Sequence, residues 1–273
     1  MVSVSHGLRR QNVVQSILQG VFEGRFTAGQ RLVVQRLAEE FGVSPTPIRE
    51  ALVELAGIGI VDLLPNRGAV VRSLTRQDVD ELCQIRRVLE TEAARSACGR
   101  IDRNELAALV GELTRLVEIG GTTASKNFDA DRFVAETRAA DAQLHDLISK
   151  ACGSRRLSAE IGRFRTIFRS FRHVGAGRST DEDNFRRAAD ENGEHLAITQ
   201  ALVDGDAKRA AKAMSRHIDE AVRHWGQRIL TALESQADAR KGTRSRGPDG
   251  GDKPGNSATG SSATGGETSE DAS

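Results

Sequence analysis

An aspartate and three histidines in the second half of the chain have the residue types and the spacing of a metal site. Asp141 and His145 are four residues apart, so in a helix they lie on the same face. His195 and His217 each lie within a stripe of mostly apolar residues at helical spacing in two later segments. Carboxylate oxygens and imidazole nitrogens bind divalent metal ions. The pattern predicts one divalent ion held by Asp141, His145, His195 and His217, with zinc expected first and nickel or manganese as alternatives.

Taken alone, each of these histidines has a simpler explanation, because a single inward histidine is most often a hydrogen-bonded core residue. The group as a whole is harder to explain in that way. Burial of an unpaired polar group costs on the order of a few kcal/mol, and one shared ion would satisfy all of these groups at once. His224 follows His217 by seven residues on nearly the same helical face and is a reserve ligand.

The segments that must position these ligands are amphipathic helices. Apolar residues at helical spacing predict helices over about residues 129–150, 181–203 and 206–233. Thr75 and Asp78 resemble a capping box at the start of a longer helix, with aspartate in place of glutamate. Between this box and residue 236 no convincing strand occurs. The sequence therefore predicts an all-α antiparallel bundle of six or seven helices over residues 75–235.

Two short helices joined by a tight turn precede this bundle. One apolar stripe ends at Gly42, and a second begins with Ile48 after two prolines that both fit a first helical turn. Either Ser44 or Thr46 can cap the second helix. Because the residue before a proline avoids the α region, Thr46 is the favoured cap and Pro47 the favoured first helical residue.

A β-hairpin is expected directly after these helices. Residues 60–64 and 69–72 are two β-prone runs, and the turn cluster at 65–68 separates them. With a first helix that starts near Val13, the segment predicts a winged helix-turn-helix of three helices plus a small hairpin over residues 11–73. The chain as a whole is expected to be mainly α.

Residues 13–72 resemble the DNA-binding domain of the GntR family of transcription regulators. The resemblance rests on Gly42-Val43-Ser44, on Thr46-Pro47-Ile48-Arg49-Glu50-Ala51-Leu52 and on Arg67-Gly68, which stand in the family's order and spacing. The family often has arginine where this chain has Pro45, so one base-reading side chain is missing. The resemblance implies a DNA-binding surface made of Arg36, Ser44, Thr46, Arg49, Arg67 and Gly68. We expect Thr46 and Arg49 in the major groove, with Ser44 and Arg67 on phosphates.

Residues 75–233 resemble the metal-binding form of the FCD domain, the effector domain of the FadR subfamily of GntR regulators. The matching segments are Asp141-x-x-Leu144-His145-x-x-Ile148, Glu194-His195-x-x-Ile198 and His217-Ile218. In that family the aspartate and the histidines hold a divalent metal, with water or an effector carboxylate in the open positions. A departure is Gly153-Ser154, where the family commonly has Gly-Asn.

The same resemblance implies a ligand and an assembly. Arg86, in a segment that matches a recurring FCD position together with Glu90, could clamp a small carboxylate metabolite, and Asn192 is a plausible polar residue of the same cavity. A solvated helix face is an equally good explanation for Arg86. The resemblance further implies a homodimer on a double-stranded DNA operator that is an inverted repeat, most simply as a repressor.

Composition is compatible with these expectations without deciding between them. The chain has 39 basic and 38 acidic residues and a formal net charge of +1, so any basic DNA-binding surface must be local. Its three cysteines are isolated, which favours reduced thiols, and no apolar run or leader points to a membrane or to export. We expect a cytoplasmic protein with a flexible N-terminus (1–10) and, because hydrophobic residues vanish there, a disordered tail (237–273).

Two other functional classes compete with a metabolite-responsive regulator. A direct divalent-metal sensor would use the ion as its signal and not as a cofactor. A helical metalloenzyme is the other alternative, but di-iron bundles need Glu-x-x-His pairs on two helices, which this sequence lacks. It also lacks an H-E-x-x-H arrangement for hydrolysis.

Overall fold

The computed structural model describes residues 2–65, 67–121, 129–176 and 181–226 of the chain, and the tail predicted to be disordered lies outside them. The described elements in chain order are α1 (Val2–Phe22), β1 (Arg31–Leu32), α2 (Val34–Phe41), α3 (Pro45–Gly57), β2 (Val61–Leu64), β3 (Gly68–Val71), α4 (Arg76–Ala97), α5 (Arg103–Gly121), α6 (Ala130–Ala151), α7 (Arg155–Ala176), α8 (Asp181–Val203), α9 (Ala207–Ala221) and a π-helical turn (Val222–Gly226). The predicted fold class, a winged helix-turn-helix followed by a helical bundle, is confirmed. Among the described residues, no helix is long and apolar enough to cross a membrane.

The helix-turn-helix is formed by α2 and α3. Gly42 ends α2 in the left-handed conformation, at φ 63°, as the glycine signal predicts. The expected start of α3 is wrong by two residues: Ser44 is the N-cap, Pro45 is the first helical residue and Thr46 is already helical. Both prolines are accommodated because the backbone N–H groups of a first turn have no intrahelical partner to lose.

The wing is a sheet of three antiparallel strands in the order β1–β3–β2, one more than the predicted hairpin. The sequence conceals β1, because it is only two residues long and directly precedes the apolar stripe of α2. Gly68 begins β3 with φ 88°, and a Cβ atom there would lie 2.0 Å from the carbonyl oxygen of Leu32. Only glycine therefore allows β1 to approach β3 at this position.

The first helix also extends beyond its predicted start. It begins at Val2 and thus includes residues 2–10, for which the sequence predicts a flexible terminus. This stretch contains one glycine and no proline, so a helix anchored by the buried Val13 and Val14 can continue toward the N-terminus.

Two apolar clusters make up the core. One belongs to the bundle and contains residues such as Leu109, Leu113 and Met214. The other fills the winged helix but also includes Val79 on α4 and Ile167 and Phe168 on α7. The apolar core of the winged helix is therefore continuous with the first and fourth helices of the bundle.

Candidate metal centre and DNA-binding surface

Three helices of the bundle bring the predicted ligands together. Asp141 and His145 lie on α6, His195 on α8 and His217 on α9, and all are at most 4% exposed. One potential ligand atom from each of them lies within 4.8 Å of all the others. His224, the reserve ligand, is not a member of this group and lies in the π-helical turn after α9.

Asp141 lies at the centre of the group. Its Oδ1 atom is 3.4 Å from His145 Nε2 and 3.3 Å from His195 Nε2. The rings of His195 and His217 are 4.6 Å apart between centroids, and that of His145 is 5.4 Å from His217. Three imidazoles and one carboxylate thus converge on a single small volume inside the bundle.

Several nitrogen atoms of this group lack hydrogen bonds. Neither ring nitrogen of His195, nor Nε2 of His217, is hydrogen-bonded to any residue that the structure describes, although all are buried. Buried polar atoms in folded proteins nearly always have a partner, so such atoms indicate a group that binds here. The donor set of three imidazoles and one carboxylate suits zinc, nickel or manganese. The residues present therefore fit a divalent ion.

The outward-facing nitrogens of two ligands meet glutamates. His217 Nδ1 is 2.7 Å from Glu194 Oε2, and Arg187 forms two hydrogen bonds to that carboxylate, of 2.7 and 3.1 Å. His145 Nδ1 is in close contact with Glu90 Oε2. Arg86 Nε donates to Glu90 Oε1 at 2.7 Å.

Electrostatics differ between these histidines. Burial alone would lower the pKa of His145, but the carboxylates of Glu90 and Asp141 outweigh it and raise this pKa above 6.5. Burial lowers the pKa of His217 well below 6.5, and the neighbouring His195 and His145 lower it further. His217 is therefore neutral at pH 7, which is the form that binds a metal ion.

The two residues predicted to bind an effector are both buried. Arg86 is 5% exposed, contacts Glu90 and lies over the ring of Phe168, 4.8 Å from its centroid. A solvated face, the competing explanation for Arg86, is thus wrong. Asn192 is fully buried; its amide nitrogen donates to Thr137 Oγ1 at 2.9 Å, while its Oδ1 atom has no hydrogen bond within the described residues.

The predicted DNA-binding residues lie on the surface of the winged helix. Five are exposed and Gly68 is partly buried; the exposed ones are Arg36, Ser44, Thr46, Arg49 and Arg67. A groove of about 630 Å³ separates α3 from the wing and is lined by Arg49, Arg67 and Arg31, among others. Arg31 was not predicted; its Nε atom donates to the backbone oxygen of Arg67 at 3.0 Å. It belongs to β1, the strand that the sequence conceals.

Comparison with known proteins agrees with both halves of this structure. Residues 9–71 match the gntR family of bacterial regulatory proteins, and residues 81–220 match the FCD domain. The HTH-type transcriptional regulator BphR of Paraburkholderia xenovorans is 27% identical over 208 residues, which are 76% of this chain and 81% of the relative. The gluconate operon transcriptional repressor of Bacillus licheniformis is 27% identical over 202 residues, 73% of this chain and 78% of the relative.

A solved structure has the same fold. That of Escherichia coli McbR/YncC superposes with a TM-score of 0.58 at 19% identity, over 80% of this chain and 97% of that one.

Proposed function

The chain belongs to the GntR family of bacterial transcription regulators and carries an FCD domain, and from this premise we propose that it is a repressor controlled by a small organic acid at a metal site. One observation carries the proposal, namely the group of Asp141, His145, His195 and His217 with its convergent buried donor atoms. The relatives are regulators and not enzymes, so the centre has a binding role.

The ion would be held by the Asp141 carboxylate and by one nitrogen of each histidine, with zinc the first choice and nickel or manganese the alternatives. When bound, it supplies a Lewis-acidic position that accepts a carboxylate oxygen. Arg86 would clamp the effector carboxylate with the terminal nitrogens of its guanidinium group, since its Nε is engaged by Glu90. The unsatisfied Asn192 Oδ1 would accept a hydroxyl or amide proton of the effector.

DNA would be bound across the groove between α3 and the wing. Thr46 and Arg49, at the start of α3, would reach base edges in the major groove, while Ser44, Arg36 and Arg67 would contact phosphates. Gly68 would let the wing approach the DNA backbone closely. A single winged helix contacts few base pairs, so the working unit would be a homodimer on an inverted repeat.

The name of one relative supports repression, and the short connection between the domains supports coupling. The related protein of Bacillus licheniformis is named a repressor. In this chain β3 ends at Val71 and α4 begins at Arg76, so a short connection joins the wing to the helix of Arg86. An effector held by Arg86 would tie α4 to the ligand-bearing helices and shift it relative to the wing. Such coupling is typically worth about 1–3 kcal/mol.

The substitution His195→Ala tests this function. It should reduce zinc retained after purification and abolish the effector response, while effector-free DNA binding stays close to wild type. The effector is first sought by a thermal-shift screen of small organic acids with and without chelator, and the operator by selection of genomic fragments. Operator titrations with and without that acid then compare wild type, His195→Ala and the control His224→Ala, which lies outside the group.

Each outcome of these titrations has a distinct meaning. A full effector response in His195→Ala would contradict the proposed mechanism. A response of wild type to zinc alone, without any acid, would identify a direct metal sensor instead. A protein that is monomeric by light scattering and binds its operator one to one would exclude the homodimer.

A further inference from the structure

We propose that Glu194 and Glu90 are positioning residues, which fix the tautomers of His217 and His145 so that both histidines present Nε2 to the ion. The inference rests on the metal site proposed above and deepens it. Neither glutamate is among the predicted metal ligands. Their contacts with the histidines form only in the folded chain.

Glu194 makes the clearer of the two contacts. Its Oε2 atom lies 2.7 Å from His217 Nδ1, and the guanidinium of Arg187 forms hydrogen bonds to both of its carboxylate oxygens. Arg187 is itself only 6% exposed. A buried arginine with this bidentate geometry holds the carboxylate in a fixed orientation. A carboxylate oxygen accepts hydrogen bonds, so the contact with Glu194 requires the proton on His217 Nδ1.

Glu90 repeats the arrangement on the other side of the group. Its Oε2 contacts His145 Nδ1, while its Oε1 accepts a hydrogen bond from Arg86. The same arginine–glutamate–histidine order thus occurs twice, built from different helices.

The arginine–glutamate–histidine arrangement matters because a neutral imidazole has one nitrogen with a proton and one with a lone pair. A proton on Nδ1, donated to a glutamate, leaves the lone pair on Nε2, and this pair faces the other ligands. The opposite tautomer would direct an N–H group at the ion. Carboxylates that hold a ligand histidine in this way also make it a stronger base.

His195 differs from the other two ligands, because within the described residues its ion-pair contact is made by Nε2, to Asp141, and no carboxylate is paired with its Nδ1 atom. A fixed tautomer is therefore expected for His217 and His145, but not for His195.

Substitutions of Glu194 test the inference with least risk to folding, because Arg187 keeps a second carboxylate, Glu191, at 3.4 Å. Glu194→Leu removes the acceptor and the charge, whereas Glu194→Gln keeps an oxygen that can accept from Nδ1. The matched control is Glu182→Gln on the same helix, which breaks an exposed pair with Arg186 that touches no histidine. All are made in the full chain.

Two measurements are made on each variant. Cobalt(II) affinity is measured by competition with a chelator, and imidazole tautomers of the metal-free protein are assigned from ¹⁵N chemical shifts. Glu194→Leu should weaken cobalt about 10- to 100-fold and lose the Nδ1–H preference of His217. Glu194→Gln should keep that preference and lose less than tenfold. The control should match wild type in both.

The outcomes separate this inference from the proposed function. Wild-type affinity and an unchanged tautomer in Glu194→Leu would overturn it, as would weaker affinity with an unchanged tautomer, which would indicate a merely structural role. If Glu194→Leu does not fold, Glu194→Gln decides: a wild-type Nδ1–H population with a smaller loss of affinity supports the inference, and a lost population overturns it. If wild type binds no cobalt, the metal site fails, while the tautomer of His217 still tests the positioning contact.

Discussion

The two halves of this regulator place their functional polar groups in opposite ways. In the winged helix, Arg49 and Arg67 project from the surface, and the core beneath them consists of apolar residues such as Ile17 and Leu55. In the bundle, His145, His195 and their partners occupy the core itself. A substitution on the first surface can change binding without changing stability. In the second region a substitution is expected to change both binding and stability, because the candidate binding groups are also packing groups.

The largest effect should come from breaking a buried ion pair of the bundle. Glu90→Leu leaves the guanidinium of Arg86 buried without its carboxylate, and we expect a loss of about 3–5 kcal/mol in the free energy of unfolding. Urea denaturation measures it. The matched control is Glu160→Leu, whose partner Arg163 lies 3.1 Å away with both side chains exposed. That change should cost below about 1 kcal/mol. Equal losses would contradict the contrast between the two environments.

A metal ion should stabilise the bundle by a comparable amount. Zinc at about 100 times its dissociation constant should raise the free energy of unfolding by about 2.7 kcal/mol in wild type, because the proposed site is assembled from three helices and exists only in the folded chain. His217→Ala should lose most of this gain. Unfolding monitored with zinc and with excess chelator provides the measurement, and a wild-type gain in His217→Ala would contradict the ligand set.

On the winged helix, the effect should appear in binding alone. Arg49→Ala should weaken specific operator binding by about 1–3 kcal/mol and relax base preference at one position per half-site. Its free energy of unfolding should stay within about 0.5 kcal/mol of wild type, since the side chain is exposed. The control Arg163→Ala removes an equal charge on α7. Operator affinity equal to wild type would exclude α3 as the reading helix.

The smallest effect is expected at the junction of the two halves. Thr75 caps α4 in a capping box with Asp78, and Thr75→Ala should cost about 1 kcal/mol. Hydrogen bonds from Thr75 hold the pKa of Asp78 below its ordinary value of 3.8. A carboxylate with a lowered pKa contributes stability above its unfolded-state pKa and loses that contribution as the pH falls. The difference in stability between wild type and Thr75→Ala should therefore become smaller below about pH 3.8, and a constant difference down to pH 2 would refute this.

Local signals explain why much of this structure could be predicted. Helical apolar stripes, Gly42 and the capping box each depend on residues close in sequence, and they predicted α2, α4 and the fold class correctly. The convergence of Asp141 with His195 and His217 was accessible because each interrupts an apolar face.

Other features depend on contacts between residues far apart in sequence. Strand β1 exists because its two residues pair with β3, so neither β1 nor its Arg31 could be found from local pattern. Glu194 contacts a histidine on the next helix, and Glu90 contacts one on α6. These contacts depend on how each helix is rotated about its axis, which local sequence pattern does not determine. The start of α3 lies two residues before the predicted one, because Thr46 is helical although it precedes a proline.

The apolar cluster that joins the winged helix to α7 limits how such a protein can be recombined. α1 packs on α7, and Ile167 and Phe168 are part of the same cluster as Val13 and Ile17. If the winged helix were fused to a different FCD domain, the contact between α1 and α7 would be mismatched. Its residues on both helices would have to be exchanged together. Exchange of whole DNA-binding domains can therefore change the operator only between regulators whose α1 and α7 surfaces are complementary. Substitution of single side chains on the exposed face of α3 is free of that constraint.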